Sequence, residues 1–139
     1  MGKFIIGIDA GTTGIRAIAF DHESNMLSNA YSEFTQYFPE SGWVEHDANE
    51  IYDVTMAMIK KCVEDGGLSF DDLAAIGITN QRETTVLWDK NTGKAVTRSI
   101  VWQDMRTADR VTAFTEKYGD SMYEIVGSGP MTNSTAPKI

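Results

Sequence analysis

Cysteine is nearly absent. Cys62 is the only one in 139 residues, so no internal disulfide can form, and the chain suits a reducing, cytoplasmic compartment. Basic charge is scarce as well. Twelve Lys and Arg stand against twenty Asp and Glu, for a formal net charge of −8, which leaves no clustered cations for a nucleic-acid backbone. No apolar run approaches the roughly 18–20 residues that a membrane helix needs, so no membrane partner is expected. The segment Met1-Gly2-Lys3-Phe4-Ile5-Ile6-Gly7-Ile8-Asp9 has one cation and an apolar stretch cut by a carboxylate, and does not read as a signal peptide. The two histidines, His22 and His46, lie far apart without ligand-spaced partners, so zinc is not expected. Repeats, low-complexity stretches and linkers are missing too. What remains is 42% hydrophobic and 23% charged, and fits one soluble domain that buries roughly two-thirds of its unfolded surface.

Periodicity predicts an α/β domain. Phe4-Ile5-Ile6-Gly7-Ile8 reads as a strand covered on both faces. Ile15 to Asp21 alternates like a half-buried strand, and Met26 to Glu33 forms a third. Short polar turns between them predict an antiparallel meander. A loop with Pro39, Gly42 and Trp43 follows. A helix then starts after Asp47 as cap, with Glu50 completing a capping-box pair. Ile51, Val54, Met58, Ile59, Cys62 and Val63 recur on its apolar face, so Cys62 reads as a small core residue and Met56 and Met58 need no cofactor. Gly66-Gly67 ends it. Leu73 to Thr79 reads as a buried strand, with further strands at Thr84–Trp88 and Ser99–Trp102. A second helix is expected from about Thr107 to Lys117, ending at Gly119, and a short one from Ser121 to Ile125.

Two segments could carry chemistry. Asp9-Ala10-Gly11-Thr12-Thr13-Gly14 is a Gly/Thr turn between strands, able to offer backbone N–H groups and hydroxyls to phosphate oxygens. Asp9 at the strand end could hold hydrated Mg²⁺, and Arg16 could reach a phosphate. A plain hairpin with Asp9 as turn cap and Arg16 solvated explains the same residues. It is not a P-loop, because no lysine follows the second glycine at the required spacing. The second segment is Asn80-Gln81-Arg82-Glu83 at the end of a strand, where open α/β sheets place ligands. Arg82 can donate to hydroxyl oxygens and Glu83 can accept from hydroxyl hydrogens, which suits a polyol, with Trp88 and Trp102 offering apolar faces. An exposed turn with a weak ion pair is the alternative. In Trp102-Gln103-Asp104-Met105-Arg106, Asp104 could equally cap a helix and Arg106 lie on the surface.

Together these segments resemble a known family. Gly7-Ile8-Asp9-Ala10-Gly11-Thr12-Thr13-Gly14-Ile15-Arg16-Ala17-Ile18 resembles the opening of the FGGY carbohydrate kinases. Gly42 to Asp47, Ala75 to Thr85 and Ile100 to Asp104 are similar to the glycerol-kinase branch of that family. The resemblance spans about residues 3 to 110 in the right order. It implies a ribonuclease H-like fold of the actin/hexokinase/Hsp70 type, with a mixed sheet, an N-terminal antiparallel meander and flanking helices. It also implies ATP-dependent phosphorylation of a small polyol or sugar. Position by position, Asp9 matches the magnesium aspartate. Thr12, Thr13 and Gly14 match the nucleotide-phosphate turn and Arg16 a nucleotide-contacting arginine. Arg82 and Glu83 match the pair that grips the acceptor, and Trp102 matches the wall of its pocket.

Two departures are visible. Gly14 stands where glycerol kinases carry a serine. From Gly129 to Ile139 the sequence is closer to gluconate- and xylulose-type relatives, without the tyrosine that the family places close to Thr135. Glycerol is therefore the leading acceptor and xylulose or gluconate the alternative; a non-catalytic binding or regulatory remnant is the reading outside enzymes. The resemblance makes residues 1–139 part of an N-terminal kinase domain, the remainder of that domain and a C-terminal domain being further residues of a homo-oligomeric enzyme. It places the general-base aspartate downstream, so none of these residues is the base and the 139 residues alone are expected to be inactive. Pro137-Lys138-Ile139 then reads as a cut through a domain.

Overall fold

The computed structural model describes residues 3–139; Met1 and Gly2, the first residues of the segment weighed as a leader, lie outside it. In chain order the elements are strands β1 (Phe4–Ala10), β2 (Gly14–Phe20), β3 (Met26–Glu33) and β4 (Glu45–His46), helix α1 (Ala48–Asp65), strands β5 (Leu73–Thr79) and β6 (Ser99–Ile100), and helix α2 (Ala108–Val126). They fall into two compact units. One is the chain up to Thr35 together with Ala48–Gln81; the other is Gln36–Asp47 together with Arg82–Ile139.

The first unit is a four-stranded sheet in the order β3-β2-β1-β5. The meander β1-β2-β3 is antiparallel, and β5 lies parallel to β1, so the sheet is mixed. Helix α1 covers one face. Phe4, Ile6 and Ile8 of β1, Ile15, Ala17 and Ala19 of β2, and Ala30 of β3 meet Met58, Ile59, Cys62 and Val63 of the helix in one buried cluster. A side chain of the size of Ile6, fully buried, contributes about 2 kcal/mol through the area removed from water. The alternation along β1 is one-sided: Ile5, between two buried residues, keeps 43% of its surface exposed. This corrects the expectation of a strand covered on both faces.

Strand β5 departs further from expectation. Its apolar run reads as buried, yet nothing in it is. Ile76 and Ile78 lie beside Ile6 and Ile8 in the parallel register, and are 45% and 69% exposed where their neighbours are 0% and 3%. The reason is the placement of α1, which packs mainly on β2 and β3 and less on β1. A β-branched run reports what a strand can bury, and it does not report which layer reaches it.

The second unit pairs β4 antiparallel to β6. Isolated bridges add Tyr37 to Glu45, Thr85 to Ile100 and Trp88 to Ala95. The expected strand Thr84–Trp88 is therefore reduced to these contacts, and Ser99–Trp102 to two residues. Its buried interior is mostly polar: Val101 is joined by His46, Thr85, Ser99, Asp104 and Thr107. Helix α2 is continuous where two helices were expected. Gly119 sits inside it, because an interior glycine costs only about 1 kcal/mol relative to alanine and does not turn the chain. Gly127 does turn it, with φ 72° and its N–H on the Tyr123 carbonyl. Among the described residues no helix is long and apolar enough to cross a membrane.

Candidate active site

The Gly/Thr turn is a closed hairpin. Asp9 faces Arg16 and Ala10 faces Ile15 across β1 and β2, and the Gly11 N–H donates to the Gly14 carbonyl at 3.1 Å. Asp9, Thr13 and Arg16 are exposed at this end of the sheet. The Arg16 guanidinium lies 5.1 Å from the centre of the Tyr31 ring, a cation–π contact that keeps it at the hairpin's flank. Gln81 braces the turn from the far side of the sequence, its Nε2 donating to the Gly11 carbonyl at 2.8 Å. Reading Asn80 to Glu83 as one segment misses this role, which depends on β5 running parallel beside β1.

Gly14 is buried, and its lack of a side chain is a steric requirement. A Cβ there would lie 2.6 Å from the Ser32 carbonyl oxygen and 2.7 Å from the Tyr31 hydroxyl. A serine at this position would thus force the Ser32 backbone and the Tyr31 ring to shift. At Gly11 the constraint is milder: a Cβ would stand 3.3 Å from the Gly14 oxygen and 3.8 Å from Asp9 Oδ1. The glycine keeps the space beside the Asp9 carboxylate clear.

The second group of candidates belongs to the other unit. Arg82 and Glu83 are exposed on the turn that precedes the Thr85 bridge. Thr84 links them to the tryptophan, since its hydroxyl accepts the Trp102 N–H at 3.3 Å. Trp102 remains 39% exposed. Trp88, at 64% exposed, sits in the outer hairpin that its bridge to Ala95 closes. Glu83 has a left-handed backbone, φ 65°, and its Oε2 accepts the Thr135 N–H at 2.7 Å. That hydrogen bond, the Thr135 side chain and the charges of Lys138 and Arg82 hold the Glu83 carboxyl below the ordinary range. It is a fixed carboxylate, suited to accepting hydrogen bonds from hydroxyls.

Arg106 is not a surface residue, contrary to one of the two readings left open for its segment. Its side chain is 18% exposed; Nε donates to Asp104 Oδ1 at 2.9 Å, and Nη2 to Asp104 Oδ2 and Glu45 Oε1, each at 2.8 Å. The guanidinium also lies 3.8 Å from the centre of the Trp43 ring. Asp104 Oδ2 further accepts the Val44 N–H at 2.7 Å. Burial pushes the Asp104 carboxyl up, but the hydrogen bonds from Arg106 and Val44 outweigh it and the net direction is down. This network ties β4 to the segment that carries Trp102.

The sequence matches the FGGY family of carbohydrate kinases, N-terminal domain, over residues 4–139. It is 56% identical over 108 residues to the glycerol kinase of Petrotoga mobilis, covering 78% of this chain and 22% of that protein. To the glycerol kinase of Bacillus velezensis it is 49% identical over 128 residues, covering 91% and 26%. Among solved structures, Plasmodium falciparum glycerol kinase with ADP superposes with a TM-score of 0.88 at 31% identity, over 97% of this chain and 27% of that one. Xylulose kinase from Rhodospirillum rubrum, at 24% identity and a TM-score of 0.86 over 98% and 28%, shares the fold. The chain spans about a quarter of the length of these relatives. With the match running from residue 4 to residue 139, the chain belongs to the FGGY family of carbohydrate kinases.

Proposed function

We propose that residues 1–139 are part of the N-terminal domain of an ATP-dependent kinase that phosphorylates a primary hydroxyl of a small polyol. Glycerol is the first choice, converted with ATP to glycerol 3-phosphate and ADP. The observation that carries this is Glu83, next in sequence to Arg82 and fixed by the Thr135 N–H on its Oε2, in a chain 56% identical over 108 residues to a glycerol kinase. Arg82 would donate to acceptor oxygens, Glu83 Oε1 would accept from a hydroxyl, and the Trp102 ring would line the carbon skeleton.

In-line phosphoryl transfer depends on positioning and on donors to the phosphate oxygens. The hydroxyls of Thr12 and Thr13 and the amides of the hairpin through Gly14 would provide those donors, with Arg16 adding its fork. The Asp9 carboxylate fits a hydrated magnesium ion: it is a hard oxygen ligand, exposed, with clear space beside it at Gly11. Bound there, Mg²⁺ would neutralise phosphate charge. Proton removal from the acceptor falls, in this reading, to a carboxylate outside residues 1–139. The complete enzyme would be a cytoplasmic homo-oligomer acting on small molecules.

Xylulose or gluconate is the second reading, favoured by the Gly129–Ile139 sequence. The test is the complete kinase with ATP labelled in its γ-phosphoryl and a panel of glycerol, xylulose and gluconate. Labelled glycerol 3-phosphate, formed with the highest kcat/KM of the three, is the expected result. Label released only as free phosphate would overturn the kinase reading.

A further inference from the structure

Glu83 does not hold its own conformation. A non-glycine residue at φ 65° is strained, and persists only where surrounding bonds determine it. Those bonds come from a segment more than fifty residues away in sequence. The Thr135 N–H donates to Oε2 at 2.7 Å. The Thr135 hydroxyl and the Lys138 ammonium both donate to the Glu83 carbonyl, at 3.4 Å and 3.1 Å. Lys138 Nζ also donates to the Asn133 carbonyl at 2.9 Å, which fixes the ammonium between two main-chain oxygens.

We propose that Lys138 and Thr135 are positioning residues for the acceptor: they clamp Glu83 from both its carboxylate and its carbonyl, so that Oε2 is committed to the protein and Oε1 is presented to the substrate hydroxyl. The inference rests on the reading of Glu83 as an acceptor ligand. Three features support it. The ammonium bonds to the main chain of Glu83 itself, so its loss acts on the strained dihedral directly. It is the cation of the 3-10 turn Ala136–Lys138, and the turn brings Thr135 N and Lys138 Nζ to the same residue. Finally, Lys138 is partly buried, and desolvation draws its pKa below the ordinary lysine value, as expected for an ammonium held inside rather than waving in solvent.

The test is steady-state kinetics of the complete kinase with Lys138→Met, Lys138→Gln, Lys138→Arg and Thr135→Val, the acceptor KM and the ATP KM being measured separately. Losing a hydrogen bond from a charged donor should raise the acceptor KM about tenfold in Lys138→Met and Lys138→Gln, with the ATP KM unchanged. Lys138→Arg keeps the charge and the donors, and should return the acceptor KM to within about threefold of wild type. Thr135→Val keeps the backbone N–H and loses the longer bond, so a rise of about twofold is expected. If both Lys138 variants leave the acceptor KM unchanged in an active enzyme, the clamp is wrong and the kinase reading stands. If both KM values rise together and Lys138→Arg rescues neither, the lysine is structural and the proposal falls. A wild-type enzyme that phosphorylates no acceptor removes the reading of Glu83 and this inference with it.

Discussion

Asp104 has no exposed surface and accepts hydrogen bonds from the Val44 N–H and from the Arg106 backbone, Nε and Nη2. A carboxylate in that position is stable only while it is paired. Removing it by Asp104→Ala leaves a largely buried guanidinium with Glu45 alone, and should destabilise the second unit by about 3 kcal/mol in urea unfolding. The pH dependence follows from the same bonds. The folded carboxyl is held below the usual aspartate value, so its contribution is complete above roughly pH 4 and is lost as pH falls through the folded pKa. Asp104→Asn should therefore be less stable than wild type at neutral pH, and the gap should narrow in acid. A gap that stayed constant from neutral pH down into strong acid would contradict this account of the residue. Sequence alone left Arg106 open between surface and site, because its partners are one neighbour in sequence and one residue, Glu45, 61 positions away.

At the scale of elements, β1 and β5 are both mostly apolar seven-residue strands with opposite fates. Ile6 is fully buried under α1, while Ile78 is 69% exposed on a strand at the edge of the sheet. Ile6→Ala should cost about 3 kcal/mol of unfolding free energy, as cavity-forming core substitutions do. Within these 139 residues, Ile78→Lys should change stability by less than about 0.5 kcal/mol. Equal losses at both sites would contradict the exposure of Ile78. The meander and the Asp9–Arg16 hairpin were legible in the sequence, since alternation, turn residues and short loops all point the same way there. The exposure of β5 was not, because it depends on how far a helix reaches across the sheet. The continuity of α2 was missed for a local reason: Gly119 looks like a terminator, and only the backbone shows that the left-handed turn falls at Gly127.

At the scale of the whole molecule, the candidate residues divide between the two units. Asp9, Thr12, Thr13, Gly14 and Arg16 belong to the first with Gln81; Arg82, Glu83 and Trp102 belong to the second with Thr135 and Lys138. The net charge of −8 does not oppose nucleotide binding, which depends on local donors and a divalent cation rather than on the summed charge. The motif residues of both groups were legible as a family pattern, whereas their supports, Gln81 for the hairpin and Lys138 for Glu83, come from long-range contacts that no local spacing encodes. The division has a kinetic consequence: phosphate and acceptor binding should respond to different substitutions. The most direct measurement is the pair of KM values for Glu83→Ala in the complete kinase. Loss of a charged acceptor should raise the KM for glycerol by about 10- to 100-fold and leave the KM for ATP within about twofold of wild type. An unchanged glycerol KM, or an ATP KM that rises in parallel, would contradict the account.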